Sequence, residues 1–199
     1  MPARYIALEG VEGAGKSTVA ELVAAELQKQ GRQVVTVREP GGTRLGEEIR
    51  RLLLHSHEMD PWAEAALFCA QRAQLAREVV APALAGGAWV VSDRSYYSSL
   101  AYQGYARGLG VEQVRTLNEL ALNGVVPDLV VVLDVEPEVG LGRQREPDRI
   151  GGQGVEFQRR VAEGYRSLAA AEPHRVVILE GGLEPEVLAR RVVELAEER

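Results

Sequence analysis

Gly10-Val11-Glu12-Gly13-Ala14-Gly15-Lys16-Ser17 constrains the fold of this chain more than any other stretch. It fits G-x-x-x-x-G-K-[ST], the phosphate-binding P-loop. The flanks agree with the motif. Tyr5-Ile6-Ala7-Leu8 before it is short, apolar and strand-like, and from Thr18 to Leu27 apolar residues recur at helical spacing. In a strand, Gly-rich turn and helix, the glycines let successive N–H groups face phosphate oxygens, and the helix N-terminus adds its positive dipole end. Lys16 is expected to reach the β- and γ-phosphates and Ser17 to ligate Mg²⁺, with Gly10 to Thr18 forming the nucleotide-facing set. The motif predicts a bound nucleoside triphosphate and does not state its use.

The 199 residues suffice for one α/β domain with a sizeable core. No apolar run approaches the ~20 residues of a membrane span, and a strand beginning within a few residues of the start leaves no room for a signal peptide. A cytoplasmic protein is expected, with no membrane partner. The net charge of −6 argues against nucleic-acid binding. The single cysteine, Cys69, excludes an internal disulfide and Cys-based zinc sites and reads as a small buried hydrophobe. His55, His57 and His174 read as surface residues.

Strand patterns at 4–9, 33–38, 88–92, 129–133 and 175–179 alternate with helical patterns at 16–30, 44–55, 61–84, 95–106, 111–122, 136–143, 155–171 and 184–198. Trp89-Val90-Val91 and Val130-Val131-Val132-Leu133 are continuous apolar runs, as in strands covered on both faces. This alternation predicts a three-layer α/β domain with a parallel sheet and right-handed crossovers. Ligands then sit beyond the carboxyl ends of the strands.

The unusual residues fall there. Arg38-Glu39-Pro40-Gly41-Gly42-Thr43 follows the second strand pattern, a shaped, charged loop suited to an anion or metal, with Arg50 on the next helix. Asp93 ends the third, where an acid can hold Mg²⁺ or its water, and Arg94 beside it can grip a second phosphate. An Asp–Arg pair that merely caps the next helix is the structural alternative. Four of the six tyrosines, Tyr96, Tyr97, Tyr102 and Tyr105, cluster next, as packing or as the lining of a pocket for a flat ring. Beyond the fourth strand, Arg143, Arg145 and Arg149 with Gly151, Gly152 and Gly154 form a basic segment in an acidic protein. It reads as a solvated loop or, more sharply, as a mobile lid at about 143–154 that brings arginines to the transferred phosphate.

A P-loop, a second anion site and an Arg-rich lid together imply phosphoryl transfer between two bound substrates. A GTP-dependent switch needs an [NT]-K-x-D segment, and no lysine follows Lys29. A regulatory or motor ATPase usually carries larger domains; a P-loop regulatory protein remains the alternative from a different class.

Over nearly its whole length the chain resembles bacterial thymidylate kinases. The resemblance rests on Leu8 to Ser17, Arg38 to Thr43, Phe68 to Arg72, Asp93-Arg94, Ala101-Tyr102-Gln103-Gly104, Leu133-Asp134-Val135 with Pro137-Glu138, and Arg143 to Arg149. It implies a P-loop nucleoside monophosphate kinase fold with a five-stranded parallel sheet flanked by helices, transfer of the γ-phosphate of ATP to dTMP with Mg²⁺, and a homodimer. It implies contact of Glu12 with the sugar 3′-hydroxyl, of Arg50 and Arg94 with the acceptor phosphate, and of Phe68 with the thymine face. It also implies an Arg72 hydrogen bond to a thymine carbonyl, base contact from Ser99 and Gln103, and Tyr102 beneath the deoxyribose. Glu39 joins this acceptor set. Lys16 and Arg94, with the lid arginines Arg143, Arg145 and Arg149, form the catalytic set, Arg143 also stacking on adenine. Gly13 and Ala14 stand where one branch of the family places an arginine, which matches the branch that keeps these arginines in the lid. A kinase for another nucleoside monophosphate or a deoxynucleoside is the nearest alternative.

Overall fold

The computed structural model describes residues 4–143 and 148–198. Five strands form one parallel sheet: β1 (Tyr5–Glu9), β2 (Val34–Arg38), β3 (Trp89–Asp93), β4 (Leu129–Asp134) and β5 (Val176–Glu180), in the order β2-β3-β1-β4-β5. The three central strands are buried almost throughout, as their continuous apolar runs require. The two edge strands alternate between buried or half-buried and exposed positions.

Helices cover the sheet: α1 (Lys16–Lys29), α2 (Arg44–His55), α3 (Pro61–Leu75), α4 (Ala81–Ala85), α5 (Tyr96–Ser99), α6 (Val111–Leu122), α7 (Pro137–Gly142), α8 (Val155–Ala171) and α9 (Pro185–Glu197). The helical patterns at 61–84 and 95–106 are not uniform. α3 passes into a π-helical turn at Ala76–Val80 before Pro82, whose ring nitrogen cannot donate to the ladder. α5 passes into a second at Leu100–Ala106, which carries Tyr102 and Gln103; single π turns recur at functional sites because they re-aim side chains. One large core joins both sheet faces, with Trp89, Tyr96, Tyr97 and Tyr165 among its fully buried side chains. Cys69 is buried, and its thiol faces the Leu117 carbonyl at 3.4 Å. His55 and His57 are exposed, as their sequence context predicts.

Register brings the strand ends together. Leu8 pairs with Asp93, Arg38 with Asp93, and Glu9 with Val132. The P-loop, the Arg38–Thr43 loop and the Asp93-Arg94 turn therefore share one rim of the sheet.

Candidate active site

A cavity of about 400 Å³ opens on that rim. Its P-loop wall holds Glu12, Gly13, Gly15, Lys16, Ser17 and Thr18. Gly15 caps α1 at φ 88°, a left-handed conformation that suits glycine, and no side chain caps the helix. The first-turn N–H groups of α1 are thus directed at the cavity, the arrangement that binds anions. Gly10, Val11 and Ala14 complete the loop from below; Val11 and Ala14 are buried in the core. Lys16 is 6% exposed and donates to the Val11 carbonyl at 2.8 Å. Burial and then the charge of Arg94 push its ammonium down to about 8.

Ser17 donates its hydroxyl hydrogen bond to the Asp93 carboxylate at the end of β3. Two hard oxygens at the edge of a phosphate cradle suit Mg²⁺, which keeps waters and takes its remaining ligands from phosphate.

Arg94 follows Asp93 with φ 74°, a left-handed backbone that costs a residue with a Cβ. Its side chain is held from several sides. It pairs with the Glu12 carboxylate, donates to Gly10 O at 3.2 Å, Ser98 Oγ at 3.1 Å and Tyr102 Oη at 3.3 Å, and lies over the Tyr102 ring at 5.2 Å. Burial would draw charge out of this pair, yet mutual attraction prevails. The Glu12 carboxyl falls below its usual range and the Arg94 guanidinium rises well above its own. Arg50 reaches the cavity from α2, its guanidinium donating to Pro40 O at 2.7 Å, and Arg38 lines the same wall. Burial and then the like charge of Arg38 lower Arg50. Cations that press on one another around an open cleft form a site shaped for an anion.

The far wall carries Phe68, Ser98, Ser99, Tyr102 and Gln103, with Glu39 and Pro40. It combines the Phe68 ring with the polar groups of Ser98, Ser99 and Gln103. Of the acceptor set inferred from sequence, Glu12, Glu39, Arg50, Phe68, Arg94, Ser99, Tyr102 and Gln103 all line this one cavity. Arg72 does not. It is 2% exposed and its guanidinium is held behind the wall by Glu39 at 2.5 Å, Asn118 Oδ1 at 2.5 Å, and Ser99 Oγ and Ser95 O at 3.2 Å. Here it supports Glu39 and Ser99 rather than facing the cavity. Glu39, buried with it, has its carboxyl raised by burial against the pull of Arg72.

The lid arginines separate. Arg143 is exposed, donates to Gly13 O at 3.2 Å, and lines a second cleft of about 450 Å³ with Asp134, Val139, Ile178 and Gly182. Arg149 does not line the main cavity. It donates to Leu53 O at 2.8 Å and to Glu64 at 2.7 Å. Arg145 lies outside the described residues.

Two carboxylates carry the scaffold, and the sequence reading did not single them out as site residues. Glu9 is fully buried and accepts from Ser95 N and Ser95 Oγ at 2.7 Å, Ser98 Oγ at 2.6 Å and Tyr165 Oη at 2.7 Å. It fixes the Ser98 hydroxyl that in turn faces Arg94. Glu64, also fully buried, accepts from Gln103 at 2.8 Å, from Arg107 at 2.8 and 2.9 Å, and from Arg149. Three donors outweigh the burial that would raise it and hold its carboxyl below the usual range. A carboxylate can only accept, so the Gln103 amide nitrogen is fixed toward Glu64. The signal for Glu64 was in the spacing: Glu64, Phe68 and Arg72 lie four residues apart, on one face of α3.

This fold and cleft define a P-loop nucleotide-binding protein with a second, cationic anion site facing the first. A family model described as thymidylate kinase matches residues 8–192. Among curated relatives, a thymidylate kinase of Synechococcus sp. (strain JA-3-3Ab) is 50% identical over 188 residues, covering 94% of this chain and 92% of the relative. One of Caldanaerobacter subterraneus subsp. tengcongensis is 40% identical over 201 residues, covering 100% and 97%. The crystal structure of thymidylate kinase from Ehrlichia chaffeensis superposes with a TM-score of 0.81 at 29% identity, covering 98% of this chain and 99% of that one. The chain belongs to the thymidylate kinase family, and its fold is the P-loop nucleoside monophosphate kinase fold.

Proposed function

We infer that this chain is an ATP-dependent nucleoside monophosphate kinase that phosphorylates dTMP to dTDP. The observation that carries this reading is the pairing, in one cavity, of a P-loop anion cradle with a second cationic wall at Arg38, Arg50 and Arg94 beside the ring face of Phe68.

In this reading the P-loop amides and Lys16 hold the β- and γ-phosphates of ATP. Arg50 and Arg94 hold the acceptor phosphate in line with them, so that catalysis is positioning and charge compensation. Mg²⁺ would be held by Ser17 and Asp93 and would supply neutralisation of the phosphate charge. Tyr102 and Arg94 both use Oε1 of Glu12, which leaves Oε2 for the sugar 3′-hydroxyl. Phe68 stacks on thymine, Ser99 and Gln103 read its polar edge, and Tyr102 packs beneath the deoxyribose. Arg72 acts on the base through Ser99 and Glu39 or turns to it when substrate binds. The second cleft, with Arg143, takes the adenine. The chain acts as one domain whose stretch at about 143–154 serves as a lid, with Arg143, Arg145 and Arg149 as its arginines.

We place the protein in the cytoplasm and read it as a homodimer. No described helix is long and apolar enough to cross a membrane. Leu120 stands 79% exposed on α6, Leu52 52% on α2 and Trp62 45% on α3, an apolar scatter compatible with a partner copy. Incubation with γ-labelled ATP, Mg²⁺ and dTMP, followed by separation of products, is expected to give labelled dTDP and ADP in equal amounts. Label appearing only as inorganic phosphate would instead favour a nucleotide-hydrolysing regulatory protein. Sedimentation velocity tests the dimer.

A further inference from the structure

Helix α7 meets the P-loop backbone to backbone at Gly140. A Cβ built on Gly13 would lie 2.0 Å from the Gly140 carbonyl oxygen, and one built on Gly140 would lie 2.2 Å from the Glu12 carbonyl oxygen. No real Cβ tolerates such distances, and the obstructing atoms are backbone, which cannot swing aside as a side-chain tip can. Gly13 also has φ +71°, a conformation that disfavours any side chain. A second tie comes from the residue that ends the same helix: Arg143 donates to Gly13 O at 3.2 Å. Two consecutive P-loop carbonyls, those of Glu12 and Gly13, are therefore engaged by α7 and its C-cap.

The orientation of those carbonyls decides what the loop can bind. A trans peptide is planar, with N–H opposite C=O. Turning the Glu12 carbonyl onto Gly140 sends the Gly13 N–H the other way, and Glu12 and Gly13 line the phosphate cavity. We propose that Gly140 is a positioning residue for the triphosphate: α7 presses on the P-loop so that its peptide planes face the phosphates. The same contact links P-loop occupancy to the helix that bears Arg143 and borders the second cleft. The inference rests on the donor half of the reading above and not on the identity of the acceptor.

Gly142 supplies an internal control. It lies two residues on in the same helix, is exposed, and a Cβ there meets nothing within 4 Å. Gly140→Ala and Gly142→Ala make the same chemical change in one short helix, and only the first displaces the P-loop. Calorimetric titration with Mg·ATP is expected to show binding weakened at least about tenfold in Gly140→Ala, since ångström-scale misplacement in such sites costs up to about 100-fold. Gly142→Ala should bind within twofold of the parent. Equal affinities for all three proteins would overturn the assignment, as would equal losses in both variants. If Gly140→Ala does not fold, amide exchange on the parent protein decides. Inorganic tripolyphosphate with Mg²⁺ has no adenine to reach the second cleft, so slower exchange at 138–141, short of Arg143, on adding it reports the contact through the P-loop. Slower exchange confined to 10–18 would refute the coupling. Both readouts survive if dTMP proves not to be the acceptor, and a chain that binds neither ATP nor tripolyphosphate fails on the proposed function first.

Discussion

The two walls of the cleft are built from different materials. On the acceptor side the deepest charges are held in pairs: Arg72 with Glu39, each 3% exposed at the side chain, and Arg94 with Glu12, half-buried at 14% and 23%, while Arg38 with Glu47 lies half in water. Glu64 there takes three donors without any contact with solvent. On the donor side the geometry is set by backbone: an uncapped helix end, a left-handed Gly15, and carbonyls held against α7. Its side-chain pairs, such as Arg159 with Glu138, lie half in water. Buried pairs fix geometry at a cost in desolvation, which is sustained only if every partner is satisfied. The difference matches the two tasks. Triphosphate looks alike on every nucleotide and can be held by peptide groups, whereas an acceptor must be told from its near relatives by side chains in fixed orientations.

This contrast predicts a graded series of losses. Arg94→Ala removes the cation that Glu12, Ser98 and Tyr102 all hold in place, and kcat/KM for dTMP should fall by about 10²–10³-fold or more, the scale of losing one preorganised donor to a developing charge. Steady-state kinetics at saturating ATP test it; unchanged rates would remove Arg94 from the acceptor site. Next comes Arg72→Leu, which strands Glu39 in the core and should cost about 3–5 kcal/mol in urea denaturation. The double variant Glu39→Leu with Arg72→Leu should recover much of that loss, because the uncompensated charge goes with it. A double variant no better than the single would mean that the pair is not the unit of stability.

A smaller effect concerns pH on the donor side. Lys16 titrates at about 8 in the free protein, lowered by burial and then by Arg94. Bound triphosphate favours the ammonium form, so its complex has a higher value. Nucleotide binding should therefore leave this group unchanged at pH 7 and take up a proton above pH 8. Affinity then falls by at most about tenfold per pH unit. Calorimetry in buffers of different ionisation enthalpy reads the uptake directly, and no uptake at pH 9 would contradict the account of Lys16. The smallest effect belongs to Glu138→Gln. Its carboxyl is held low by a backbone hydrogen bond and then by Arg159, in water. Exposed pairs of this kind contribute little, so the melting temperature should not move.

The sequence made the local devices legible. The strand–turn–helix around Lys16 and the apolar strands at 89–91 and 130–133 are statements about neighbours in the chain, and the structure has them where periodicity puts them. The rim residues Asp93 and Arg94 were legible because parallel sheets place ligands at strand ends. What stayed hidden was long-range. Glu9 meets its partners 86, 89 and 156 residues away, and Glu64 meets its own 39, 43 and 85 residues away. No local pattern separates such a carboxylate from a solvated one. Arg72 shows the converse. Its spacing from Phe68 fixes its helix face, but four hydrogen-bond partners drawn from three other segments decide that it sits behind the cavity wall.

The central claim is that the cationic, ring-lined wall exists to present dTMP to the P-loop nucleotide. ADP production from ATP and Mg²⁺, followed with dTMP, dUMP, UMP, CMP, AMP and GMP added separately, tests it most directly. The account predicts strong stimulation by dTMP, less by dUMP and little by the others. A slow background that no monophosphate accelerates would contradict it.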